Sequence, residues 1–262
     1  MKFLDRGSIN RLEKYAPLMR ELVVRDLKVK YRRSVLGYLW SLLNPLMMMV
    51  IMSVVFSYAF KVDIEYFPLY VISGNVLFTF FNDSTNYAMH SIVQNGSLIK
   101  KVYIPKYIFP LSNVLSSFVT AMFSLIAVLI VLIFQRVPIH WQILLVPIPI
   151  FFEFVFCVGV GLVIGALSVY FRDINHLYGV LTLAWMYCTP IFYPLEALPE
   201  RVIAIIKFNP LYNYIQFFRL LVIHSYIPGI NTWLACIVSS VVSLIVGIIV
   251  FGKLQRNFIL YL

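Results

Sequence analysis

The sequence predicts an all-α membrane protein with six transmembrane helices and both termini in the cytoplasm. Of its 262 residues, 61% are hydrophobic and 12% are charged, whereas a soluble domain has roughly 25% charged residues. Apolar runs of about 20 residues, the length that crosses a bilayer as a helix, recur along the chain. The basic residues collect in alternate connections. These observations exclude a water-soluble globule.

Six segments have the length and apolarity of membrane spans, or come close to them. They are residues 35–60, 67–89, 111–134, 143–171, 177–195 and 233–251. The second contains Asp83 and the fourth contains Glu153, while the fifth is short and ends in Thr189-Pro190 and Tyr193-Pro194. An even number of crossings puts both termini on one side of the membrane.

The distribution of Lys and Arg predicts which side that is. Sixteen of the 21 basic residues fall in the N-terminal segment, the 94–107 loop, the Arg172-Asp173 turn and the C-terminal tail. Because cytoplasmic loops carry an excess of Lys and Arg, these segments are predicted to be cytoplasmic. Topology therefore explains the net charge of +10 better than nucleic-acid binding does.

Residues 8–33 have the pattern of an amphipathic helix that lies in the membrane interface. Apolar side chains recur three or four residues apart, with basic residues between them, at Ile9, Leu12, Ala16, Met19, Val23 and Leu27. Such a helix places its apolar face in the lipid and its lysines against anionic headgroups. The alternative is a disordered basic tail.

Residues 197–229 contain two apolar runs, 202–206 and 211–223, separated by Asn209-Pro210. Runs of this length are more often re-entrant or interfacial than spanning. We predict two short re-entrant helices in the outer leaflet before the last span. The alternative is a seventh crossing, which would move the C-terminus outside.

No grouping of residues indicates catalysis or metal binding. The sequence has no P-loop, no GxSxG and no HExxH motif. The four histidines are scattered, and the three cysteines lie in apolar spans without paired spacing. Gly161 and Gly165 form a GxxxG pattern, which predicts close approach of two helices.

Asp83 and Glu153 are the acids that fall well inside predicted spans. An ionisable residue within a membrane span is a functional candidate, and two paired acids could relay protons. However, no Lys or Arg lies within the same spans, and Asp83 belongs to a polar run at 82–86. A water-filled vestibule or a helix–helix hydrogen bond would explain that run equally well.

The aromatic content of 16% is high. Interfacial belts account for rings at span ends, such as Tyr38 and Trp40. Rings inside the second and fifth spans suit a pathway for sugars, because pyranose faces stack on rings while hydroxyls bond to Tyr and Asn. Packing against lipid is the alternative for any single ring.

Four segments together resemble the membrane subunit of an ABC-2-type exporter, in the branch that exports O-antigen, teichoic acid and related glycans. They are RDLKVKYRRSVLGYLWSLLNPL (25–46), SLIKKVYIPKYIFPL (97–111), YFRDINHLYGVLTLAWMYCTPIFYP (170–194) and FNPLYNYIQFFR (208–219). The resemblance covers essentially the whole chain. It implies one transmembrane domain in the bacterial cytoplasmic membrane, which is not itself an enzyme and holds no cofactor. ATP and Mg²⁺ would be bound by a separate ATPase subunit, present in two copies.

The resemblance also implies roles for particular segments. Two copies of the chain would pair around a channel lined by the first, second and fifth spans, with these aromatic residues along it: Tyr38, Trp40, Phe78, Phe81, Tyr87, Tyr178, Trp185 and Tyr187. Residues 97–108 would hold a coupling helix, and 197–229 would gate the outer end. The contacts with the ATPase would be Lys100, Lys101, Tyr103, Pro105, Lys106, Arg172 and Asp173.

A lipid-linked glycan carries an anionic pyrophosphate. Basic residues at the leaflet surface attract anionic groups, so five residues are predicted as first contacts of this substrate with the protein: Arg25, Lys28, Lys30, Arg32 and Arg33.

Two other functions stay open. An ABC-2 subunit could export a drug or a small lipid, for which aromatic surfaces are also suited. A membrane-embedded glycan polymerase or ligase would need acids clustered with Arg or His in a large outer loop, and 197–229 offers few of them.

Overall fold

The computed structural model describes residues 6–32, 34–59 and 64–262, and these residues form helices and connections without a β-strand. The α-helices are α1 (Arg6–Tyr31), α2 (Trp40–Ala59), α3 (Phe67–Gln94), α4 (Gly96–Lys101), α5 (Ile108–Phe134), α6 (Pro147–Tyr170), α7 (Ile174–Tyr187), α8 (Glu200–Ile206), α9 (Pro210–Val222), α10 (Ile230–Leu254) and α11 (Phe258–Tyr261). Single turns of 3₁₀-helix precede α2, α6 and α8 and follow α10. The predicted all-α class is confirmed.

Four helical stretches among the described residues are long and apolar enough to cross a membrane. They are Gly37–Ser57, Ile108–Phe134, Trp141–Tyr170 and Ile230–Tyr261, and they coincide with the first, third, fourth and sixth predicted spans. The second predicted span is α3, which has 28 residues and is about 42 Å long at 1.5 Å per residue. This helix is longer than the hydrocarbon core of a bilayer, but the polar residues 82–86 interrupt its apolar sequence. The count of six crossings stays a prediction.

The predicted fifth span, 177–195, is wrong as a continuous helix. Helix α7 has 14 residues and ends at Tyr187, after which the chain turns through Thr189-Pro190. The residue before a proline is disfavoured in the α conformation, and Pro190 and Pro194 follow each other closely. At about 21 Å, α7 is too short to cross a bilayer alone.

The centre of the fold is α3, which packs against α5 and α6, while α6 packs against α10. These contacts are close because they are made at glycines. A Cβ at Gly165 would lie 2.8 Å from the carbonyl oxygen of Ala88, and one at Gly159 would overlap the backbone of Ser243. The predicted GxxxG contact is therefore confirmed, and it joins α6 to α3.

The predicted interface helix is present as α1, so residues 6–31 are not an unstructured tail. Part of its apolar face packs on protein: Leu22 and Val23 are buried, and α1 lies against α5. Leu22 belongs to a hydrophobic group that we call the basal cluster, formed by Leu22, Ile92, Ile99, Ile108, Phe109, Leu162, Ala166, Val169, Phe251 and Phe258. Whether α1 also lies in a lipid interface stays a prediction.

The two irregular connections contain short helices, and the two predicted in 197–229 are present. In the 97–108 segment, α4 ends at Lys101 and Val102 is extended, three residues before Pro105. The 197–229 segment contains α8 and α9 instead of one crossing. Pro210 lies in the first turn of α9, where a proline loses no helical bond, and the side chain of Asn209 accepts a hydrogen bond from the Leu211 N–H at 3.1 Å. Insertion of these helices into a leaflet stays a prediction.

Candidate functional site

A polar cleft lies where α2, α3 and α5 meet the C-terminal end of α1. Its volume is about 180 Å³. Seven of its fourteen lining residues carry a hydroxyl or an amide, two form an ion pair, and the other five, one of them an indole, are apolar: Lys30, Trp40, Ser41, Asn44, Pro45, Asn75, Val76, Thr79, Phe80, Asp83, Ser117, Thr120, Ala121 and Ser124. Helix periodicity explains the arrangement, since Asn75, Thr79 and Asp83 lie four residues apart on one face of α3.

Asp83 forms an ion pair with Lys30. The Lys30 Nζ lies 3.1 Å from the Asp83 Oδ2, and both side chains are 29% exposed. The same ammonium lies 5.3 Å from the centre of the Tyr87 ring. No Lys or Arg lies in the same helix as Asp83, but α1 brings Lys30 to α3 from 53 residues away.

The hydroxyl groups that line the cleft differ in whether they have hydrogen-bond partners. Thr120 donates to the Ser116 carbonyl at 3.1 Å, and Ser124 donates to the Ser41 carbonyl of α2 at 2.9 Å. Ser117 is 3% exposed, and its Oγ has no hydrogen-bond partner among the described residues. Buried hydroxyls nearly always have a partner, so Ser117 stands out among these groups.

Glu153 is fully buried in α6, and neither of its carboxylate oxygens has a hydrogen-bond partner in the described part of the chain. No ion pair joins it to Lys or Arg there, and Asp83 is instead paired with Lys30. The structure therefore gives these two acids different surroundings, and it does not bring them into a shared hydrogen-bonded pair.

Arg219 on α9 is buried in a cage of carbonyl groups. Its guanidinium donates to the carbonyls of Pro190 at 2.9 Å, Tyr70 at 2.9 Å and Ile191 at 3.1 Å, and to the Ser73 hydroxyl at 3.4 Å. It also lies 3.4 Å from the centre of the Tyr70 ring. Arg219 thereby joins α9 to the start of α3 and to the turn that follows α7.

The Arg219 cage was missed by the sequence reasoning, as was Ser117. Arg219 lies in an apolar run, FFRLLV, within the 197–229 segment that was assigned to the outer leaflet. A single arginine within a short apolar helix is the signal that could have identified it, because a buried charge requires partners. Ser117 carries no comparable signal.

The predicted ATPase contacts divide into exposed and internal residues. Tyr103 is 96% exposed, and Lys100, Lys101, Arg172 and Asp173 are also exposed. Lys106 instead donates to the Gln255 carbonyl at 2.6 Å and lies 5.4 Å from the centre of the Phe258 ring. Burial lowers the pKa of this ammonium. Lys106 thus holds the C-terminal segment, and Pro105 beside it is only half-exposed.

The predicted channel residues also divide by exposure. Tyr38, Trp40, Tyr87 and Tyr187 are between 41% and 62% exposed. In contrast, Phe78, Phe81 and Tyr178 are buried inside the chain. The lining role of these residues stays a prediction. The half-buried Trp185 packs edge-on against Phe81 at 5.1 Å and donates from its Nε1 to the Asn209 Oδ1 at 2.8 Å.

The predicted headgroup contacts lie along the last turns of α1. Lys28 and Arg32 are exposed. Arg25 is also exposed, but it bonds to Asp26 at 2.9 Å and to the Asn95 amide oxygen at 3.3 Å. Lys30 is compensated by Asp83, and Arg33 lies outside the described residues. The role of these five residues as headgroup contacts stays a prediction.

Comparisons with known proteins cover almost the whole chain. A family model described as "ABC-2 type transporter" matches residues 17–223. The chain is 31% identical over 237 residues to the O-antigen export system permease protein RfbA of Klebsiella pneumoniae, covering 89% of this chain and 90% of that protein. It is 26% identical over 253 residues to RfbA of Myxococcus xanthus (95% and 97% covered). It is 22% identical over 223 residues to the polysialic acid transport protein KpsM of Escherichia coli (79% and 81% covered).

Proposed function

We propose that this chain, which belongs to the ABC-2 type transporter family, is the permease subunit of an ATP-driven exporter of lipid-linked polysaccharide in the bacterial cytoplasmic membrane. The observation that carries the proposal is the near-full-length similarity to permeases named for O-antigen export. The similarity to a polysialic acid transport protein extends the support to a second kind of polysaccharide. O-antigen, teichoic acid or a similar cell-surface glycan is the proposed substrate.

A separate ATPase subunit, in two copies, would bind ATP and Mg²⁺ and dock at the basal end of the molecule. The docking surface would consist of Lys100, Lys101 and Tyr103 on one connection and the Arg172-Asp173 turn on another. Their exposure supports this assignment. The basal cluster supports the surface from behind, because Ile99 of α4 and Phe109 of α5 are both buried in it.

A homodimer would provide the channel. Helices α2 and α7 present many exposed apolar residues, including Val54, Val180 and Leu181, so both have faces free to meet lipid or a second copy. Among the predicted channel residues, the exposed ones that could contact a glycan are Tyr38, Trp40, Tyr87 and Tyr187. In this arrangement the chain would cross the membrane six times, with α7 and the turn that follows it together forming the fifth crossing, and both termini would lie in the cytoplasm.

The remaining basic surface of α1 would attract the substrate's pyrophosphate. Arg25, Lys28 and Arg32 are exposed at the same end of α1, and a cluster of cations near a membrane surface attracts anionic groups. Helices α8 and α9 would form the outer gate, held to the rest of the molecule by Arg219.

Reconstitution with the cognate ATPase subunit tests the proposal. We expect the two proteins to co-purify. In proteoliposomes, addition of a lipid-linked glycan should raise the ATPase activity, and ATP hydrolysis should drive transport of that glycan. A complex whose ATPase cannot hydrolyse ATP is the control and should transport nothing. Stimulation by amphipathic drugs but not by lipid-linked glycans would contradict the proposed substrate. Glycan turnover by the isolated chain would indicate an enzyme.

A further inference from the structure

We propose that the polar cleft between α2, α3 and α5 binds one uncharged, polyhydroxylated unit, the size of a single sugar residue. The inference rests on the proposed function insofar as that sugar belongs to the exported glycan. Three independent properties of the cleft support it: its charge balance, an unsatisfied hydroxyl, and its size beside an exposed indole.

The charge balance of the cleft favours a neutral ligand. Lys30 and Asp83 are its charged lining residues, and they lie 3.1 Å apart. Their charges cancel, so a phosphate or pyrophosphate would find no excess of positive charge. A carboxylate that is partly exposed still has lone pairs available, and neighbouring sugar hydroxyls are suitable donors to it.

The unsatisfied Ser117 hydroxyl indicates that a polar ligand enters the cleft. Its Oγ is buried and lines the cleft without a partner in the described residues, whereas the hydroxyls of Thr120 and Ser124 bond to backbone carbonyls. An unpaired buried hydroxyl destabilises a protein unless a ligand or water supplies the missing bond. A sugar hydroxyl would supply it.

The size of the cleft limits the ligand to about one ring. A volume of about 180 Å³ equals the liquid volume of roughly six waters, at about 30 Å³ each. Trp40 lines the same cleft and is 42% exposed, so it offers an apolar face beside the hydroxyl and amide groups. An apolar face next to polar groups matches the two kinds of surface on a pyranose ring.

Ligand titration of the full chain in phosphatidylcholine nanodiscs tests the inference. The probes are methyl α-D-glucoside, methyl α-D-mannoside and methyl α-D-galactoside, with glucose 1-phosphate as the anionic comparison. Saturation-transfer NMR detects the binding of each probe. We expect saturable binding of at least one neutral glycoside and weaker binding of glucose 1-phosphate. Asp83→Asn removes the negative charge, so it should weaken the glycoside and strengthen glucose 1-phosphate.

Two neighbouring serines provide matched variants. Ser117→Ala should weaken glycoside binding about fivefold, the effect of one hydrogen bond, and Ser117→Leu should abolish it by filling the cleft. Ser116→Ala is the control: its hydroxyl bonds to the Ser112 carbonyl at 3.0 Å and does not line the cleft, so glycoside binding should be unchanged. Thermal unfolding confirms that each variant is folded.

Three outcomes would overturn the inference. The first is that the folded wild-type protein binds no glycoside saturably, and water would then be the occupant of the cleft. The second is that Ser117→Leu binds a glycoside as tightly as the wild-type protein does, and the third is that the wild-type protein prefers glucose 1-phosphate to the neutral glycosides. ATP-dependent export by the wild-type complex tests the proposed function separately. A neutral glycolipid headgroup carries the same chemistry, so competition by monoglucosyl diacylglycerol in the nanodisc would identify lipid as the source of the sugar, and absence of competition would identify the glycan.

Discussion

The Arg219 cage yields a quantitative prediction through the substitution Arg219→Lys. Lysine keeps a cationic side chain at this buried position, but its ammonium is more strongly hydrated than a guanidinium and costs more to bury. The substitution removes the planar guanidinium, which now reaches Ser73, Tyr70 and both carbonyls of the Pro190-Ile191 turn. A lysine ammonium is a compact point charge on a flexible stem and cannot reproduce such a fork.

The expected magnitude follows from the contacts that are lost. A hydrogen bond to a charged group contributes about 1.5–3 kcal/mol, and at least one of the four bonds must be lost, since an ammonium has three donors. Stacking on the Tyr70 ring adds about 1–2 kcal/mol at a desolvated site. The Pro190 carbonyl keeps a second donor, the Tyr70 hydroxyl at 3.1 Å. We therefore expect a loss of about 3 kcal/mol in the free energy of unfolding.

Reversible unfolding in mixed micelles containing SDS, followed by tryptophan fluorescence, measures this loss. The matched control is Arg201→Lys, because Arg201 is exposed on the neighbouring short helix α8 and surface substitutions usually change stability by less than about 0.5 kcal/mol. If Arg219→Lys were as stable as Arg201→Lys, the carbonyl cage would not hold α9 in place and the reasoning would be refuted.

Three further predictions concern other contacts. Gly159→Ala should destabilise the fold by more than about 3 kcal/mol in the same unfolding assay, because its Cβ would overlap the Ser243 backbone. The control Gly179→Ala has open space around the new Cβ and should be neutral or slightly stabilising. Equal stability of the two variants would contradict the close approach of α6 and α10. Lys106→Met should increase amide hydrogen exchange in residues 255–262, because it removes the bond to the Gln255 carbonyl; unchanged protection would show that the bond is dispensable. Tyr103→Ala should weaken co-purification with the ATPase subunit at least tenfold. The Tyr226 side chain is 64% exposed in the connection before α10, so Tyr226→Ala is the control and should have no effect. Equal losses would contradict the assigned docking surface.

The long helices could be predicted from the sequence because their signal is local. Apolar runs of spanning length and the excess of Lys and Arg in the N-terminal segment depend on composition alone, and α2, α5, α6 and α10 lie where those runs are. The fifth span was misjudged because apolarity continues through Pro190 to Phe192 while helix geometry does not. Hydropathy reports which solvent a segment prefers, but prolines decide where its helix ends.

The candidate sites were less predictable because they depend on contacts between distant residues. Lys30 and Asp83 are 53 residues apart, and Arg219 meets its Tyr70 partner across 149 residues. No local pattern pairs them. Exposure is equally non-local: Tyr87 and Phe81 lie less than two turns apart on α3, yet one is 41% exposed and the other is fully buried. Composition identified the aromatic helix but not which of its rings reach the surface.

Helix α5 connects the proposed docking surface to the proposed sugar site. It begins in the basal cluster with Ile108 and Phe109, next to the segment that carries Tyr103, and Ser117 lies about 14 Å further along at 1.5 Å per residue. A helix of this length moves as a rigid element, so a displacement of its first turn relative to α3 must change the spacing between Ser117 and Asp83. In the proposed exporter, closure of the ATPase would therefore alter the cleft directly. The Arg219 cage lies at the other end of α3, and its helix α9 packs on α6 and α10 as well as on α3, so the cage is not coupled to α5 through α3 alone.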